Sequence, residues 1–254
     1  MLCKVRNVQL WLRFVTPRGR NMLKRQKVDA MYTVIFDLDG TLADTSGDLI
    51  ASANACFGDM GHGDVLDPVA DAGTALRGGR AMLRKGLEKL GRENDEDLID
   101  RYYPVLLEAY RKDIDKHTRF FDGALDAVEV LMARGHRVGI CTNKPEALAH
   151  LLLTRLNVLD RFHSLIGADT LATRKPDAAP YVAAVHRAGG VVSKSCLIGD
   201  TRTDRDTAIA AGVPCVLVDF GVGDQNVYEM DAEAIIKDFA ELPAIIEAWD
   251  QPAQ

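Results

Sequence analysis

Residues 32–41 read Tyr-Thr-Val-Ile-Phe-Asp-Leu-Asp-Gly-Thr, an apolar run that ends in two carboxylates one residue apart. The apolar half predicts a buried strand, with Asp37 and Asp39 at its mouth. Anions held this close in a buried place repel each other, and desolvation penalises both, so a cation must offset them. A hard divalent ion such as Mg²⁺ suits oxygen ligands, and Gly40 allows the chain to turn sharply beside a ligand. The stretch therefore indicates a phosphoryl-transfer site.

Composition and charge limit the classes of protein to be considered. The chain has 254 residues, 47% of them apolar, which is enough for a substantial core in one large domain or two unequal ones. Of the net charge of −6, residues 1–30 contribute +7, so the remainder carries −13. This acidic body argues against nucleic acid as a main partner, because phosphate backbones need basic faces. No apolar stretch approaches the roughly 20 residues of a membrane span, so no membrane partner is expected.

Cysteine and histidine usage argues against a disulfide frame or a zinc site. The five cysteines are odd in number, and none forms a C-x-x-C pair. We therefore expect buried thiols in a reducing cytoplasm, and a cytoplasmic protein. The six histidines form no H-x-x-x-H spacing, which favours surface or ordinary packing roles.

The first thirty residues differ from the rest of the chain. Their basic, arginine-rich composition resembles a targeting presequence, but the apolar patch over residues 8–15 is too short for a secretory core and is broken by Arg13. A nucleic-acid-binding arm is an alternative that nothing else in the chain supports. We expect residues 1–30 to form a disordered basic extension, with Met31 opening the working protein.

Short apolar runs alternate with helical patterns over most of the chain. The predicted strands are 32–36, 137–141, 162–167, 195–199 and 214–220. The predicted helices that follow are 145–156, 177–188, 203–211 and 232–249. This alternation predicts an α/β fold, a doubly wound parallel sheet covered on both faces. Ligands in such sheets lie at the carboxyl ends of strands, and Asp37, Thr142 and Asp200 each fall just past such an end.

One interval, residues 46–118, breaks the alternation and has only helical patterning. Its candidate helices are 48–60, 67–74, 79–90 and 96–112. A helical insert directly after the first strand predicts a cap or lid domain, with glycine-containing junctions near 45–47 and 120–123. The predicted organisation is a basic extension (1–30), a core (31–45 and 119–254) and a helical cap (46–118).

Four segments carry the predicted chemistry. In chain order they read Asp-Leu-Asp-Gly-Thr (37–41), Cys-Thr-Asn-Lys-Pro (141–145), Arg-Lys-Pro-Asp (174–177) and Gly-Asp-Thr-Arg-Thr-Asp (199–204). Together they resemble the four motifs of the haloacid dehalogenase superfamily of phosphohydrolases, which implies a Rossmann-like core. The insert resembles the cap of the branch that contains phosphoglycolate phosphatases and β-phosphoglucomutases.

The resemblance implies a role for each residue at the reacting phosphate. Asp37 would be the nucleophile that forms an aspartyl-phosphate, and Asp39 the general acid to the leaving oxygen and then the general base to water. Thr142 and Asn143 would hydrogen-bond the transferring oxygens, and Gly40 would lie beside the phosphate. Lys175 would neutralise charge on the phosphate and on Asp37.

The resemblance also implies a Mg²⁺ site. Asp37, Asp200 and the backbone carbonyl of Asp39 would coordinate the ion. Asp204 lies four residues after Asp200, one helical turn away, and would hold a metal-bound water or Lys175.

The cap contains one further candidate site. Arg77 and Gly78 occupy a position that resembles the glycine-bearing cap loop that meets substrate in phosphoglycolate phosphatases. An arginine there would grip a substrate carboxylate through two parallel hydrogen bonds. The alternative is a turn between helices with exposed arginines. Relatives more often have small residues in this loop, so the identity of the substrate stays open.

We therefore expect a Mg²⁺-dependent phosphomonoester hydrolase that acts on 2-phosphoglycolate or a similar small phosphorylated metabolite, as a monomer or homodimer. One alternative is a β-phosphoglucomutase-like enzyme, which would return the phosphate to a sugar hydroxyl. Another is a receiver-type phospho-acceptor module, although that fold is about half as long and has no cap. A binding protein that has lost catalysis is disfavoured by the intact set of motif residues.

Overall fold

The computed structural model describes residues 31–93, 95–223 and 225–250. The basic extension predicted over residues 1–30 lies outside the described residues. Within them, every helix is too short or too polar to cross a membrane.

A six-stranded parallel sheet forms the core and confirms the predicted fold class. Its strands in spatial order are β5 (Ser164–Ile166), β4 (Arg137–Cys141), β1 (Thr33–Phe36), β6 (Ser195–Gly199), β7 (Cys215–Val218) and β8 (Ala234–Ile236). Every neighbouring pair is parallel, so the carboxyl ends of all six strands meet at one edge.

Helices cover both faces of the sheet. In chain order they are α5 (Ala124–Ala133), α6 (Glu146–Arg155), α7 (Ala178–Arg187), α8 (Arg202–Ala211) and α9 (Leu242–Asp250). Val34 and Phe36 in β1 pack with apolar residues of α5, α6 and α9, whereas Ile35 between them packs with α7 and α8. Because successive strand residues point to opposite faces, β1, which is apolar apart from Thr33, is buried on both sides.

In the part of the cap that the structure describes, four helices lie between two short strands. They are α1 (Ser46–Asp59), α2 (Ala72–Ala75), α3 (Gly79–Lys89) and α4 (Glu96–Lys112). The strands β2 (Ala43–Asp44) and β3 (Arg119–Phe120) pair antiparallel, so the chain leaves the core and returns to it side by side. The division into core and cap at 46 and 118 stays a prediction, which this pairing supports.

The helix predicted over residues 232–249 is wrong in its first half. Its apolar start pairs in register with β7 and forms strand β8, and a 3₁₀ turn (Phe239–Glu241) follows. Asp238 and Glu241 form a reciprocal capping box at that turn, so the chain becomes helical only afterwards. A three-residue apolar strand cannot be distinguished from part of a helix by periodicity alone.

Two other elements differ from the sequence-based expectation. The helix predicted over residues 67–74 is mostly a turn, because the carboxylate of Asp67 accepts hydrogen bonds from the backbone N–H groups of Val69 and Ala70. Only α2 is helical there. Helix α5, which was not predicted, begins after Gly123, whose φ of 75° favours glycine.

Candidate active site

A cavity of about 560 Å³ lies at the carboxyl edge of the sheet, between the core and the cap. Its core side includes residues from all four motif segments: Asp37, Asp39, Thr142, Asn143, Lys175 and Asp200. Its cap side includes Arg77, Gly78, Arg80, Tyr103, Leu106 and Tyr110. The topology thus brings together segments that lie more than a hundred residues apart in the sequence.

Three buried carboxylates and one ammonium group cluster at this cavity: Asp37, Asp200 and Lys175 line it, and Asp204 is fully buried beside them. Oxygen atoms of Asp37, Asp200 and Asp204 all lie within 4.8 Å of one another. Lys175 Nζ lies 3.1 Å from Asp37 Oδ1 and 2.6 Å from Asp204 Oδ1. One positive charge faces three negative ones, so the cluster has an excess of buried negative charge.

Burial and the close approach of these anions raise the pKa values of two of the carboxyl groups. Burial raises the pKa of the Asp37 carboxyl to about 6, with Asp204 and Asp39 acting in the same direction and Lys175 in the opposite one. Burial, Asp204 and Asp37 likewise raise the pKa of Asp200 well above its usual value. Burial lowers the pKa of Lys175, but the Asp204 and Asp37 carboxylates outweigh it and raise that pKa, so the lysine remains charged.

The donor set fits a divalent cation. Asp200 Oδ2 is buried without a hydrogen-bond partner among the described residues, while Oδ1 accepts a bond of 2.7 Å from Thr41 Oγ1. A Cβ on Gly40 would overlap Asp200 Oδ2, so only glycine keeps the space beside that oxygen open. Oxygen ligands and uncompensated negative charge are what Mg²⁺ requires, and Asp37 and Asp200 would supply them.

The Asp204 carboxylate accepts hydrogen bonds at both of its oxygens, whereas Asp200 Oδ2 has no partner among the described residues. Its Oδ2 accepts hydrogen bonds from Thr201 Oγ1 at 2.6 Å and from the backbone N–H groups of Thr201 and Asp200 at 3.1 and 3.3 Å. Its Oδ1 holds Lys175. Asp204 therefore fixes both the lysine and the loop that carries Asp200, in keeping with the expectation that it acts beside the ion.

Asp39 lies apart from this cluster and has its own cation. Its Oδ1 accepts hydrogen bonds from Thr45 Oγ1 at 2.6 Å and Lys144 Nζ at 2.8 Å. Lys144 Nζ also lies 4.6 Å from the centre of the Tyr110 ring, which belongs to α4 of the cap. Lys144 and Tyr110 were not predicted to belong to the site; the one local signal for Lys144 is that it follows Thr142 and Asn143 at a strand end.

The predicted phosphate-binding residues are in place after β4. The backbone N–H of Thr142 donates to Ile166 O at 2.9 Å, which continues the sheet and fixes the loop. Asn143 Nδ2 donates to Lys175 O at 3.0 Å and so links the second and third motif segments. Both residues line the cavity, and their contact with phosphate stays a prediction.

The predicted cap site also faces the cavity. Arg77 and Gly78 lie between α2 and α3, and Gly78 has a φ of 92° that favours glycine. The neighbouring Arg80 is engaged within the cap, with Nη2 2.7 Å from Asp100 Oδ1 and its guanidinium 5.0 Å from the Tyr103 ring centre. Arg80 thus links α3 to α4, and both arginines line the cavity.

Comparisons with known proteins agree with this geometry. A family model described as haloacid dehalogenase-like hydrolase matches residues 34–218. A phosphoglycolate phosphatase from Mesorhizobium japonicum is 36% identical over 209 residues, which cover 81% of this chain and 90% of that protein.

Solved structures share the fold. The crystal structure of a predicted phosphoglycolate phosphatase from Haemophilus somnus has a TM-score of 0.74 at 22% identity and covers 85% of this chain and 97% of its own. A Thermotoga maritima protein, provisionally assigned as a β-phosphoglucomutase, has a TM-score of 0.65 at 20% identity, covering 86% of this chain and 99% of its own. At these identities the likeness is one of fold.

Proposed function

The chain belongs to the haloacid dehalogenase-like hydrolases, and on that premise we propose that it is a Mg²⁺-dependent phosphatase of small phosphorylated acids, with 2-phosphoglycolate as the favoured substrate. The observation that carries this proposal is the buried cluster of Asp37, Asp200 and Lys175 at the floor of a cavity covered by a cap. A phosphate placed there would meet a carboxylate, an ammonium group and two oxygen ligands for a metal.

In the first step Asp37 attacks phosphorus. The carboxylate oxygen forms the new P–O bond while the bond from phosphorus to the ester oxygen breaks, which gives an aspartyl-phosphate. Asp39 donates its proton to the departing oxygen, which therefore leaves as a hydroxyl group and not as an alkoxide. Lys175 stays charged and offsets the negative charge that accumulates on the transferring oxygens.

In the second step water attacks the phosphorus of the aspartyl-phosphate. Asp39, now ionised, takes the proton from that water, and the bond between phosphorus and the Asp37 oxygen breaks. Inorganic phosphate leaves, and both carboxyl groups return to their starting states. Bound Mg²⁺, held by Asp37 and Asp200, would supply charge neutralisation for the phosphate and orient the nucleophile.

The substrate assignment rests on the cap loop and on the relatives. Arg77 is a cation on the cap side of the cavity, and a carboxylate of the substrate would bind it there. The relative from Mesorhizobium japonicum carries the name phosphoglycolate phosphatase. A small substrate with a phosphate at one end and a carboxylate at the other carries negative charges that Lys175 and Arg77 would complement.

A screen for released phosphate tests the proposal. Purified protein is incubated with 2-phosphoglycolate, other small phosphorylated acids and hexose phosphates, each with Mg²⁺ and with an excess of chelator. We expect steady phosphate release from phosphorylated acids, highest for 2-phosphoglycolate and lost with chelator. Interconversion of hexose phosphates without phosphate release would favour a mutase, and a phosphorylated protein that persists for minutes would favour a phospho-acceptor; either result would overturn the proposal.

A further inference from the structure

Lys144 is a buried cation that the reaction as written above does not use. Its side chain is 3% exposed, and Nζ lies 2.8 Å from Asp39 Oδ1. A buried ammonium group is costly unless it is paired, and removal of one partner strands the other. Asp39 and Lys144 therefore form a unit in which each compensates the burial of the other.

The position of Lys144 is fixed from several sides. Its backbone N–H donates to Thr142 Oγ1 at 3.2 Å, and its carbonyl accepts from the backbone N–H of Ala168 at 2.9 Å. The Tyr110 ring covers the ammonium group from the cap side. Lys144 also lines the cavity, but its side chain is almost wholly buried and its ammonium group contacts both Tyr110 and Asp39, so it is well suited to hold Asp39.

The two hydrogen bonds at Asp39 select one of its oxygens. Both Lys144 Nζ and Thr45 Oγ1 donate to Oδ1. A carboxylate held through one oxygen by two donors cannot rotate freely, and the other oxygen keeps its capacity to carry a proton. Since Asp39 lines the cavity, Oδ2 is the atom that can exchange a proton with the ester oxygen or with water.

We propose that Lys144 is a positioning residue that holds Asp39 through Oδ1 so that Oδ2 transfers the proton, and that Tyr110 of the cap completes this arrangement. The proposal rests on the phosphatase function proposed above. It makes the alignment of Asp39 depend on α4 lying against the core, because the ring that covers Lys144 belongs to the cap.

The test compares two esters that differ in their need for a proton. The alkoxide of 2-phosphoglycolate requires protonation as it leaves, whereas nitrophenolate leaves p-nitrophenyl phosphate without it. The ratio of kcat/KM values is the readout, because kcat/KM includes the departure of the leaving group and excludes the later attack by water. We expect Lys144→Met to lower kcat/KM on the order of 100-fold for 2-phosphoglycolate and less than about 10-fold for the aryl ester.

Three further variants keep the test decisive. Lys144→Arg retains the buried charge but displaces the donor, and it should shift the same ratio by about tenfold even if Lys144→Met fails to fold. Tyr110→Leu removes the covering ring and should shift the ratio in the same direction. Lys194→Met, which breaks a partly exposed pair with Asp250 (Nζ to Oδ1, 3.4 Å), is the matched control and should leave both values unchanged.

Equal losses on the two esters in both Lys144 variants would overturn the proposal, because they would indicate a structural or substrate-binding role. An unchanged ratio in Tyr110→Leu would overturn the part assigned to the cap. If the unmodified protein hydrolyses neither ester, the proposed phosphatase function itself fails, and this inference falls with it.

Discussion

Two carboxylates that stand one residue apart in the sequence have different partners in the folded chain. Asp37 lies 3.1 Å from Lys175 and belongs to the cluster with Asp200, whereas Asp39 lies 2.8 Å from Lys144. Each of the two carboxyl groups thus lies beside a different lysine, which reduces the repulsion between them that the sequence alone implies. This separation supports distinct roles, with one carboxylate as nucleophile and the other in proton transfer.

The proposed substrate contact of Arg77 yields a prediction at the scale of one residue. We expect Arg77→Ala to raise KM for 2-phosphoglycolate by about 10-fold or more, because a bidentate contact with a carboxylate is lost, and to change p-nitrophenyl phosphate hydrolysis little. Steady-state kinetics on both esters measures the difference. Arg84→Ala is the control, since Arg84 pairs with Glu96 on the exposed side of the cap.

Equal losses on the two esters would show that Arg77 does not recognise the carboxylate. An increase in KM caused by Arg84→Ala would show instead that general loosening of the cap, and not one contact, determines substrate affinity.

The motif residues could be predicted because they follow strand ends in a fixed order. Asp37, Thr142 and Asp200 each come directly after an apolar run, and parallel strands bring such positions to one edge. Lys144 and Tyr110 could not be paired in advance. Their contact joins a core loop to the fourth cap helix, and no local period in the sequence carries information about that packing.

At the scale of elements, a buried side chain joins the two ends of the cap next to its junction with the core. Asp48, in the first turn of α1, accepts hydrogen bonds of 2.8 Å from the backbone N–H groups of His117 and Thr118 and from Thr118 Oγ1. A Cβ on Gly47 would lie 2.8 Å from His117 Cβ, so the two passages of chain are in close contact. Asp48 thereby ties the start of the cap to its end, next to the β2–β3 pair.

The packing of α3 on α1 makes a prediction that uses two glycines. A methyl group on Gly86 of α3 would overlap the buried ring of Phe57, whereas the corresponding position at Gly58 of α1 has nothing within 4 Å. We expect Gly86→Ala to lower the free energy of unfolding by about 1–3 kcal/mol through overpacking. We expect Gly58→Ala to raise it by about 0.4–1 kcal/mol, because alanine restricts the unfolded chain.

Urea unfolding followed by circular dichroism measures both glycine variants under the same conditions. A Gly86→Ala protein as stable as Gly58→Ala would contradict the close approach of α1 and α3.

Element boundaries were predictable where a strand is long and bounded by turn residues, as for β4 and β6. They were not predictable near residue 232, where the outcome depends on whether β7 offers a free edge to the three residues of β8. They also failed near Asp67, where hydrogen bonds from a side chain to the backbone replace the helix. In both places a tertiary or local side-chain contact decides the conformation, and periodicity does not report it.

At the scale of the whole molecule, core and cap meet over the carboxylate cluster. A Cβ on Gly40 would lie 2.8 Å from Leu76 Cδ1, so the cap segment reaches the turn that carries Asp37 and Asp39. The carboxylate cluster is consequently shielded from bulk water, which strengthens both its internal repulsion and its attraction for a cation. Metal binding should therefore influence the stability of the entire protein.

Thermal unfolding with and without Mg²⁺ measures that influence independently of activity. At a concentration about 100 times Kd, Mg²⁺ should raise Tm by about 5–10 °C, because the ion binds the folded state alone. Asp200→Asn should abolish this increase. It should also leave the metal-free protein at least as stable as the parent, since it removes one buried anion from the cluster.

Asp160→Asn, at an exposed position outside the four motif segments and outside the cavity lining, is the matched control and should retain the full response to Mg²⁺. A full response in Asp200→Asn would mean that the ion binds elsewhere.

The central claim is that Asp37 carries the phosphoryl group during turnover, and chemical trapping tests it most directly. The protein is mixed with 2-phosphoglycolate and Mg²⁺, quenched in acid during turnover and reduced with borohydride, which converts an aspartyl-phosphate to homoserine; the peptides are then analysed by mass spectrometry. We predict homoserine at position 37 in the parent, and in Asp37→Asn no homoserine and a loss of at least about 1,000-fold in kcat. Continued turnover by Asp37→Asn, or trapping at another residue, would contradict the account.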